Sequence, residues 1–259
     1  MTVLLAADLD RTLIYSRAAL GDQGAAVVCV ENYDGRPASF VTAAAAQGLT
    51  MLPNLVPVTT RTRAQLARVR LPGAPRRYAI AANGGLLLVD GEPDPAWSAR
   101  VARRTAAGAG VDEVASRLRR ACALPFVSRF AVADELFCYA VVDRSVPEFA
   151  DFLAETSSDA QRHGWRTSVQ GRKVYWVPDG LTKSAAVVEL AARLGASEVL
   201  AAGDSLLDID LLLLADRGRH PAHGELFDTN WTAPHVTVTA TSGVRAGAEI
   251  VAWFAAEGG

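Results

Sequence analysis

This sequence predicts an α/β protein with a mostly parallel central sheet and a second, α+β module inserted within it. Three observations carry that expectation. First, the apolar runs Val3 to Ala7, Asn54 to Val58 and Val199 to Ala202 read as buried strands, and each stops at acids or hydroxyls: Asp8 and Asp10, Thr59 and Thr60, Asp204. Second, helical periodicity separates these runs, the alternation that builds a parallel sheet. Third, between about residues 86 and 173 the pattern changes to alternating strands with segregated helices, the texture of a module placed inside another.

In chain order, the first strand ends in Asp8-Leu9-Asp10-Arg11-Thr12. Strand geometry sends residues i and i+2 to one side, so Asp8 and Asp10 converge at the carboxyl end, where open α/β sheets bind ligands. Val27 to Glu31 and Ser39 to Thr42, joined around Asp34-Gly35, read as a hairpin, so a β flap spanning about 12–45 is expected. A helix over Ala43 to Gln47 stopping at Gly48, the second strand, a helix over Thr62 to Arg70, and a third strand, Tyr78 to Ala82 ending in Asn83-Gly84-Gly85, complete the first half.

The insert begins at Leu86 to Val89. It continues with a helical zone from Ser98 to Ala123, interrupted at Gly108 and Gly110. Strands over Phe126 to Ala133 and Leu136 to Val142, a helix over Pro147 to His163, and strands over Trp165 to Val169 and Lys173 to Val177 follow. Trp97, Trp165 and Trp176 are expected in its core. Lys183 then opens a helix capped by Gly195. The fourth strand leads into Gly203-Asp204-Ser205-Leu206-Leu207-Asp208, and a helix at Leu211 to Leu214, a strand at Val236 to Thr239 and a helix at Val244 to Phe254 close the chain. The domains are therefore expected at residues 1–85 and 174–259 for the core and 86–173 for the insert.

Composition excludes several functions. A net charge of −2 over 259 residues argues against nucleic-acid binding by bulk electrostatics, and the arginines at 100, 103, 104, 117, 119 and 120 read as solvated helix faces. Cys29, Cys122 and Cys138 have no metal-ligand or disulfide-framework spacing, and a reducing cytoplasm fits them. Asp8 and Asp10 end the first apolar run before it reaches signal-peptide length, and no uncharged run is long enough to span a membrane. His220 and His223, beside Pro221 in an expected loop, lack a third ligand.

Asp8-Leu9-Asp10-Arg11-Thr12, Thr59, Lys183 and Gly203 to Asp208, in that order and each at the expected end of a strand or helix, resemble the four motifs of the haloacid dehalogenase superfamily. The insert lies where the C2-capped branch, with its Cof-like and sugar-phosphate phosphatases, carries its cap. Asn83-Gly84-Gly85 resembles the turn leading into that cap, and Gly171-Arg172 is similar to a Gly-Arg element of the sugar-phosphate phosphatases. The resemblance implies a Rossmann-like core, a C2-type cap that closes over a small phosphorylated metabolite, and Mg²⁺ as cofactor. It also implies Mg²⁺ ligation by the Asp8 carboxylate, the Asp10 main-chain carbonyl and Asp204, with Asp208 close by or acting through water. Thr59, Thr60, Arg61, Asn83, Arg172 and Lys183 are the residues expected to meet substrate.

The residue types suit phosphoryl transfer. A phosphomonoester is doubly charged and poorly electrophilic, so its oxygens must be neutralised and a nucleophile aligned. Asp8 is expected to attack phosphorus, and Asp10 to protonate the leaving alkoxide and then activate water. Thr59 and Lys183 are expected to hold the transferring oxygens. Two carboxylates about 4 Å apart repel by roughly 4 kcal/mol at an effective dielectric of about 20, so the acids can gather only around a cation, and oxygen donors favour Mg²⁺. Arg129, Arg172 and Lys173 of the insert suit an anionic or polyhydroxyl group.

Two positions depart from the family pattern. Arg11 stands where Gly is common, and Leu207 where C2-capped relatives often carry Asn. The alternative functions are a sugar phosphomutase using the same Asp pair, and a catalytically weak binding or regulatory protein of the same fold.

Overall fold

In the computed structural model, which describes residues 2–21 and 24–258, the chain divides into two units, Met1–Asp94 with Thr182–Gly259, and Pro95–Leu181. The first opens with β1 (Val3–Ala7), a short β2 (Tyr15–Ser16), β3 (Val27–Tyr33), β4 (Arg36–Thr42) and α1 (Ala43–Thr50). It continues with β5 (Leu55–Pro57), α2 (Arg63–Leu66), β6 (Tyr78–Ala81), β7 (Leu86–Val89) and β8 (Glu92–Pro93). The second unit holds α3 (Pro95–Thr105), α4 (Val111–Ala121), β9 (Val127–Ala133), β10 (Phe137–Val142), α5 (Phe149–Arg162), β11 (Trp165–Gln170) and β12 (Lys173–Pro178). The first then resumes with α6 (Lys183–Leu194), β13 (Glu198–Ala202), α7 (Ile209–Leu214), β14 (Arg217–His220), α8 (Glu225–Asp228), β15 (Val236–Val238) and α9 (Val244–Glu257).

The first unit is built on a five-stranded sheet in the order β15-β14-β13-β1-β5, parallel throughout. Its centre is apolar on both faces because helices cover both, so Leu4, Leu5, Ala6 and Ala7 are buried without alternation. Ala7 pairs with Ala202 on one side and with Pro57 on the other. That register brings Asp8, Val58 and Gly203 level, so the residues just beyond them emerge together at one edge of the sheet.

The flap is the sheet β2-β4-β3. Its hairpin turns at Asp34-Gly35, where the sequence places it. β3 is irregular: the register slips at Cys29/Glu31 and again at Glu31/Asn32. A bulge breaks the period-2 alternation, so Val30 and Glu31 are both buried although adjacent.

Several elements differ from the sequence reading. α1 runs through Gly48 to Thr50. Gly48 is a contact glycine, because a Cβ there would lie 2.6 Å from Val251 Cγ1 of α9. α2 ends at Leu66, short of the expected Arg70, because the chain turns to bridge Val69 to Glu31 of the flap. His220, expected in a loop, instead ends a strand, Arg217–His220, that lies between β13 and β15 and whose first three residues carried no strand expectation. The strand's apolar signal is hidden because Arg217 pairs with Glu198 and Glu257, and Arg219 stacks on Trp253.

The unit boundaries also differ from those expected. β7 pairs with β6 and β8 with β7, which keeps Leu86 to Pro93 in the first unit. β12 pairs with β10 and β11, which carries the second unit past 173.

The second unit is a four-stranded antiparallel sheet, β11-β12-β10-β9, with its helices interrupted at Gly108 to Gly110 as expected. Trp97, Trp165 and Trp176 are buried, and Trp165 Nε1 donates to the Ala109 carbonyl at 2.9 Å. Among the described residues no helix is long and apolar enough to cross a membrane.

Candidate active site

At the carboxyl edge of the parallel sheet, Asp8 follows β1, Thr59 lies just beyond β5, Asp204 and Asp208 follow β13, and Lys183 opens α6. Thr182 caps α6, its Oγ1 accepting from the Ala185 N–H at 3.3 Å. Asn83, at φ 55, and Gly84 turn the chain against this helix start. A Cβ on Gly84, which sits at φ +92, would run into the Thr182 carbonyl oxygen. This close approach sets the height at which Lys183 enters the site, and Asn83 N–H donates to the Thr59 carbonyl at 2.9 Å, tying in the second motif.

Lys183 is fully buried, and its Nζ donates to Asp8 Oδ1 at 2.7 Å and, in a shorter contact, to Asp208 Oδ1. Burial opposes the ammonium form, but Asp208 and Asp8 outweigh it and raise the lysine pKa. Asp208 uses its other oxygen to accept from the Asp204 and Ser205 N–H groups, at 3.1 and 2.9 Å, and from Ser205 Oγ at 2.7 Å. It therefore shapes the Gly203 to Asp208 turn as well as neutralising Lys183. Leu207 is buried beside it and adds no polar atom there.

Asp8, Asp204 and Asp208 are buried, with one carboxylate oxygen of each within 4.8 Å of the others. Burial, first, and the neighbouring carboxylates push Asp8 up to about 7 against the pull of Lys183. Burial followed by Asp8 and Asp208 raises Asp204 well above the carboxylate range, with Arg11 and Lys183 opposing. Three carboxylates face one buried ammonium and, at Asp204 alone, the Arg11 guanidinium at 3.5 Å, which leaves negative charge in excess, and all the donors are oxygen. That donor set fits a hard divalent ion.

Arg11 sits in the left-handed region at φ 65, where glycine is favoured, and its Nε lies 3.5 Å from Asp204 Oδ2. His223 holds this turn: its Nε2 meets the Arg11 carbonyl at 2.8 Å while Nδ1 accepts the Gly243 N–H at 3.1 Å. His220 closes β14 with its Nδ1 against the Pro221 carbonyl at 3.0 Å.

Thr59 is fully buried and Thr60 nearly so. Thr59 Oγ1 accepts the Arg61 N–H at 3.1 Å, which directs its own proton elsewhere. Arg61, expected to meet substrate, instead forks onto Asp10, Nε to Oδ2 at 2.7 Å and Nη2 to Oδ1 at 2.8 Å, while Nη1 reaches Glu31 Oε2 at 2.9 Å. Burial lowers the Arg61 pKa, but Asp10 and Glu31 together raise it.

Arg172 belongs to the second unit, exposed at the β11–β12 turn. In the same unit Lys173 Nζ lies 5.7 Å from the Tyr139 ring centroid and 5.9 Å from that of Tyr175, and Arg129 lies 5.8 Å from that of Tyr139. Glu31 was not among the residues expected from the sequence, although it left a signal, an acid ending the apolar run Val27 to Val30; Ser205 lay within the fourth motif without a role of its own, and His223 was weighed only as a metal ligand.

No protein-family model matches the sequence, and no curated protein matches it. Solved structures do. A sucrose-phosphatase from Synechocystis sp. PCC6803, solved with sucrose and phosphate, superposes at a TM-score of 0.64 over 98% of each chain, with 17% identity. A haloacid dehalogenase-like hydrolase from B. subtilis does so at 0.58 over 99% of each chain, with 14% identity. This chain has the haloacid dehalogenase fold. The trehalose-6-phosphate phosphatase C-terminal domain of C. albicans shares it at 0.58, covering 98% of this chain and 93% of its own, with 12% identity. At such identities the haloacid dehalogenase fold is what is common, and the chemistry rests on the side chains described above.

Adding Mg²⁺ to chelator-treated protein is expected to raise Tm, with a stabilisation of about 2.7 kcal/mol at a hundredfold excess over the dissociation constant. The gain should be larger at pH 8 than at pH 5.5. A carboxylate whose folded pKa is raised contributes stability below its unfolded value of 3.8 and loses it as pH rises through about 7, so the bare site is least stable in base. Calorimetry of wild type and Asp204→Asn checks this, and an equal Tm gain in both would contradict it.

Proposed function

We propose that the protein is a Mg²⁺-dependent phosphomonoester hydrolase acting on a small phosphorylated metabolite, a sugar phosphate first among them, through an aspartyl-phosphate on Asp8. The observation that carries this reading is Lys183, buried and bonded to Asp8 at 2.7 Å and to Asp208 across 175 and 25 residues of chain, at the edge that also holds Asp204 and Thr59.

In the first half-reaction an Asp8 oxygen bonds to phosphorus as the ester P–O bond breaks, and Asp10 gives its proton to the departing alkoxide. In the second, Asp10 takes a proton from water, whose oxygen attacks phosphorus, and the bond to Asp8 breaks to release inorganic phosphate. Lys183, Thr59 and Thr60, with Asn83 supporting their backbone, would hold the equatorial oxygens, charge-stabilised on one side and hydrogen-bonded on the other. Bound at Asp8, the Asp10 main-chain carbonyl and Asp204, with Asp208 behind, Mg²⁺ would neutralise the phosphoryl charge.

Two structural neighbours, a sucrose-phosphatase and a trehalose-6-phosphate phosphatase, support the sugar-phosphate preference. Within the second unit, the Tyr139, Tyr175, Lys173 and Arg129 cluster and the exposed Arg172 suit a polyhydroxyl leaving group. Cys29, Cys122 and Cys138 are free thiols, which suits the proposed cytoplasmic location.

A panel of phosphorylated sugars and other metabolites, assayed for phosphate release with Mg²⁺ and again with chelator, tests the reading. Metal-dependent release from at least one sugar phosphate is expected. Mass spectrometry showing an isomerised sugar phosphate without free phosphate would replace hydrolase by mutase. No turnover of any member would contradict both.

A further inference from the structure

We propose that Glu31, on the flap, is a positioning residue for Asp10 that acts through the guanidinium of Arg61. The proposal rests on the hydrolase reading above and assigns the flap a part in it.

Glu31 is only 4% exposed, and the bulge in β3 is what turns it inward beside Val30. Three neighbours meet its carboxylate. Ser39 Oγ donates to Oε2 at 2.6 Å, Arg61 Nη1 lies 2.9 Å from the same oxygen, and Arg68 Nε reaches Oε1 at 3.2 Å. Arg68 comes from the segment that leaves α2 early to bridge Val69 to Glu31, so both departures from regular structure serve this one carboxylate. The Arg61 side chain is itself 10% exposed; its Nε and Nη2 fork onto both oxygens of Asp10, and Nη2 also reaches Ser39 Oγ at 3.4 Å. Asp10, by contrast, is 43% exposed on its side chain. Its plane is aligned by a guanidinium whose far side is gripped by Glu31.

Docking the flap does not require this charge. A well-packed apolar side chain holds two surfaces together at least as well as a buried ion pair does. A planar fork with three anchored edges fixes orientation, which apolar packing does not. Proton transfer needs that orientation, because misplacement by about 1 Å costs on the order of 100-fold in rate. Oδ1 and Oδ2 each accept one N–H from Arg61, so the guanidinium sets the plane in which Asp10 meets the leaving oxygen as the ester bond breaks.

The test exploits the leaving group. An alkoxide departs only if protonated, whereas p-nitrophenolate departs unassisted, so a misaligned acid slows alkyl phosphates selectively. Glu31→Gln keeps the side-chain shape and removes the charge. With Mg²⁺ saturating, its kcat/KM on the best sugar phosphate is expected to fall about 10- to 100-fold. The same ratio on p-nitrophenyl phosphate should stay within about threefold of wild type, because kcat/KM covers only the half-reaction that forms the aspartyl-phosphate, whereas kcat also carries the water activation by Asp10 that both substrates share. Ser39→Ala, a smaller change, should shift the same ratio in the same direction, and provides the readout if Glu31→Gln folds poorly. An equal fall on both substrates, or none on either, in both variants would overturn the positioning role and leave the hydrolase reading intact. A wild type that hydrolyses neither substrate would overturn the hydrolase reading and this proposal with it.

Discussion

Asp8→Asn is expected to lower phosphate release by about 10⁴-fold or more, while leaving the fold in place. The amide is nearly isosteric with the carboxylate, so the pairing of Ala7 with Ala202 and Pro57 just before it has no cause to change. What disappears is the anionic oxygen that attacks phosphorus. The stability effect has a definite sign. Burial and the nearby carboxylates hold Asp8 at about 7, so its ionisation works against folding as pH rises from 3.8 through that value. Above it the metal-free wild type carries a crowded anion that the variant lacks, and the variant should melt no lower than wild type at pH 8 without metal. Phosphate-release kinetics and thermal melts check the two halves separately. Retained turnover would contradict the role of Asp8, and collapse of the variant at pH 8 would contradict the electrostatic account.

Lys183→Met should have the opposite stability effect. Lys183 is fully buried between Asp8 and Asp208, and removing it leaves two buried carboxylates facing each other with no ammonium. Breaking a buried pair by deleting one partner costs about 3–5 kcal/mol. That is a large part of the roughly 5–15 kcal/mol that holds a folded protein together. The loss should shrink as pH falls, because protonating the carboxylates relieves the repulsion that the lysine otherwise cancels. Denaturant melts at pH 5 and pH 8 measure it. A variant as stable as wild type at pH 8 would contradict the account of the cluster. Lys183→Arg should not restore activity, since a planar guanidinium does not fit a fully enclosed site shaped for a compact ammonium.

The fold was legible where apolar runs meet abrupt polar ends. β1, β5 and β13 stop at Asp8, Thr59 and Asp204 because buried backbone gives way there to an open edge, and that contrast is visible in one dimension. It failed where side chains hide burial. β14 is written as Arg217-Gly218-Arg219-His220, and its arginines find carboxylates and an aromatic ring that are remote in sequence. Gly48 looks like a helix stop and is a contact with Val251, because a glycine in sequence does not say whether it frees the backbone or admits a neighbour.

Within the site, Asp8, Lys183, Asp204 and Asp208 come together as the sequence leads one to expect. Arg61 does not stand open toward substrate, because Glu31 arrives on a bulged strand and captures it. A bulge changes which face a residue occupies without leaving any mark in the pattern of types. For the same reason α2 ends early: the pull on residues 67–70 comes from the flap.

One measurement bears most directly on whether Asp8 takes the phosphoryl group. The wild-type protein, mixed with its best substrate and Mg²⁺ and quenched during turnover, is treated with borohydride, which reduces an acyl phosphate to the alcohol. Peptide mass spectrometry should then find homoserine in place of aspartate at position 8, dependent on substrate and absent when substrate is omitted. Phosphate release at full rate with Asp8 unmodified, or with the reduced residue at another carboxylate, would contradict it.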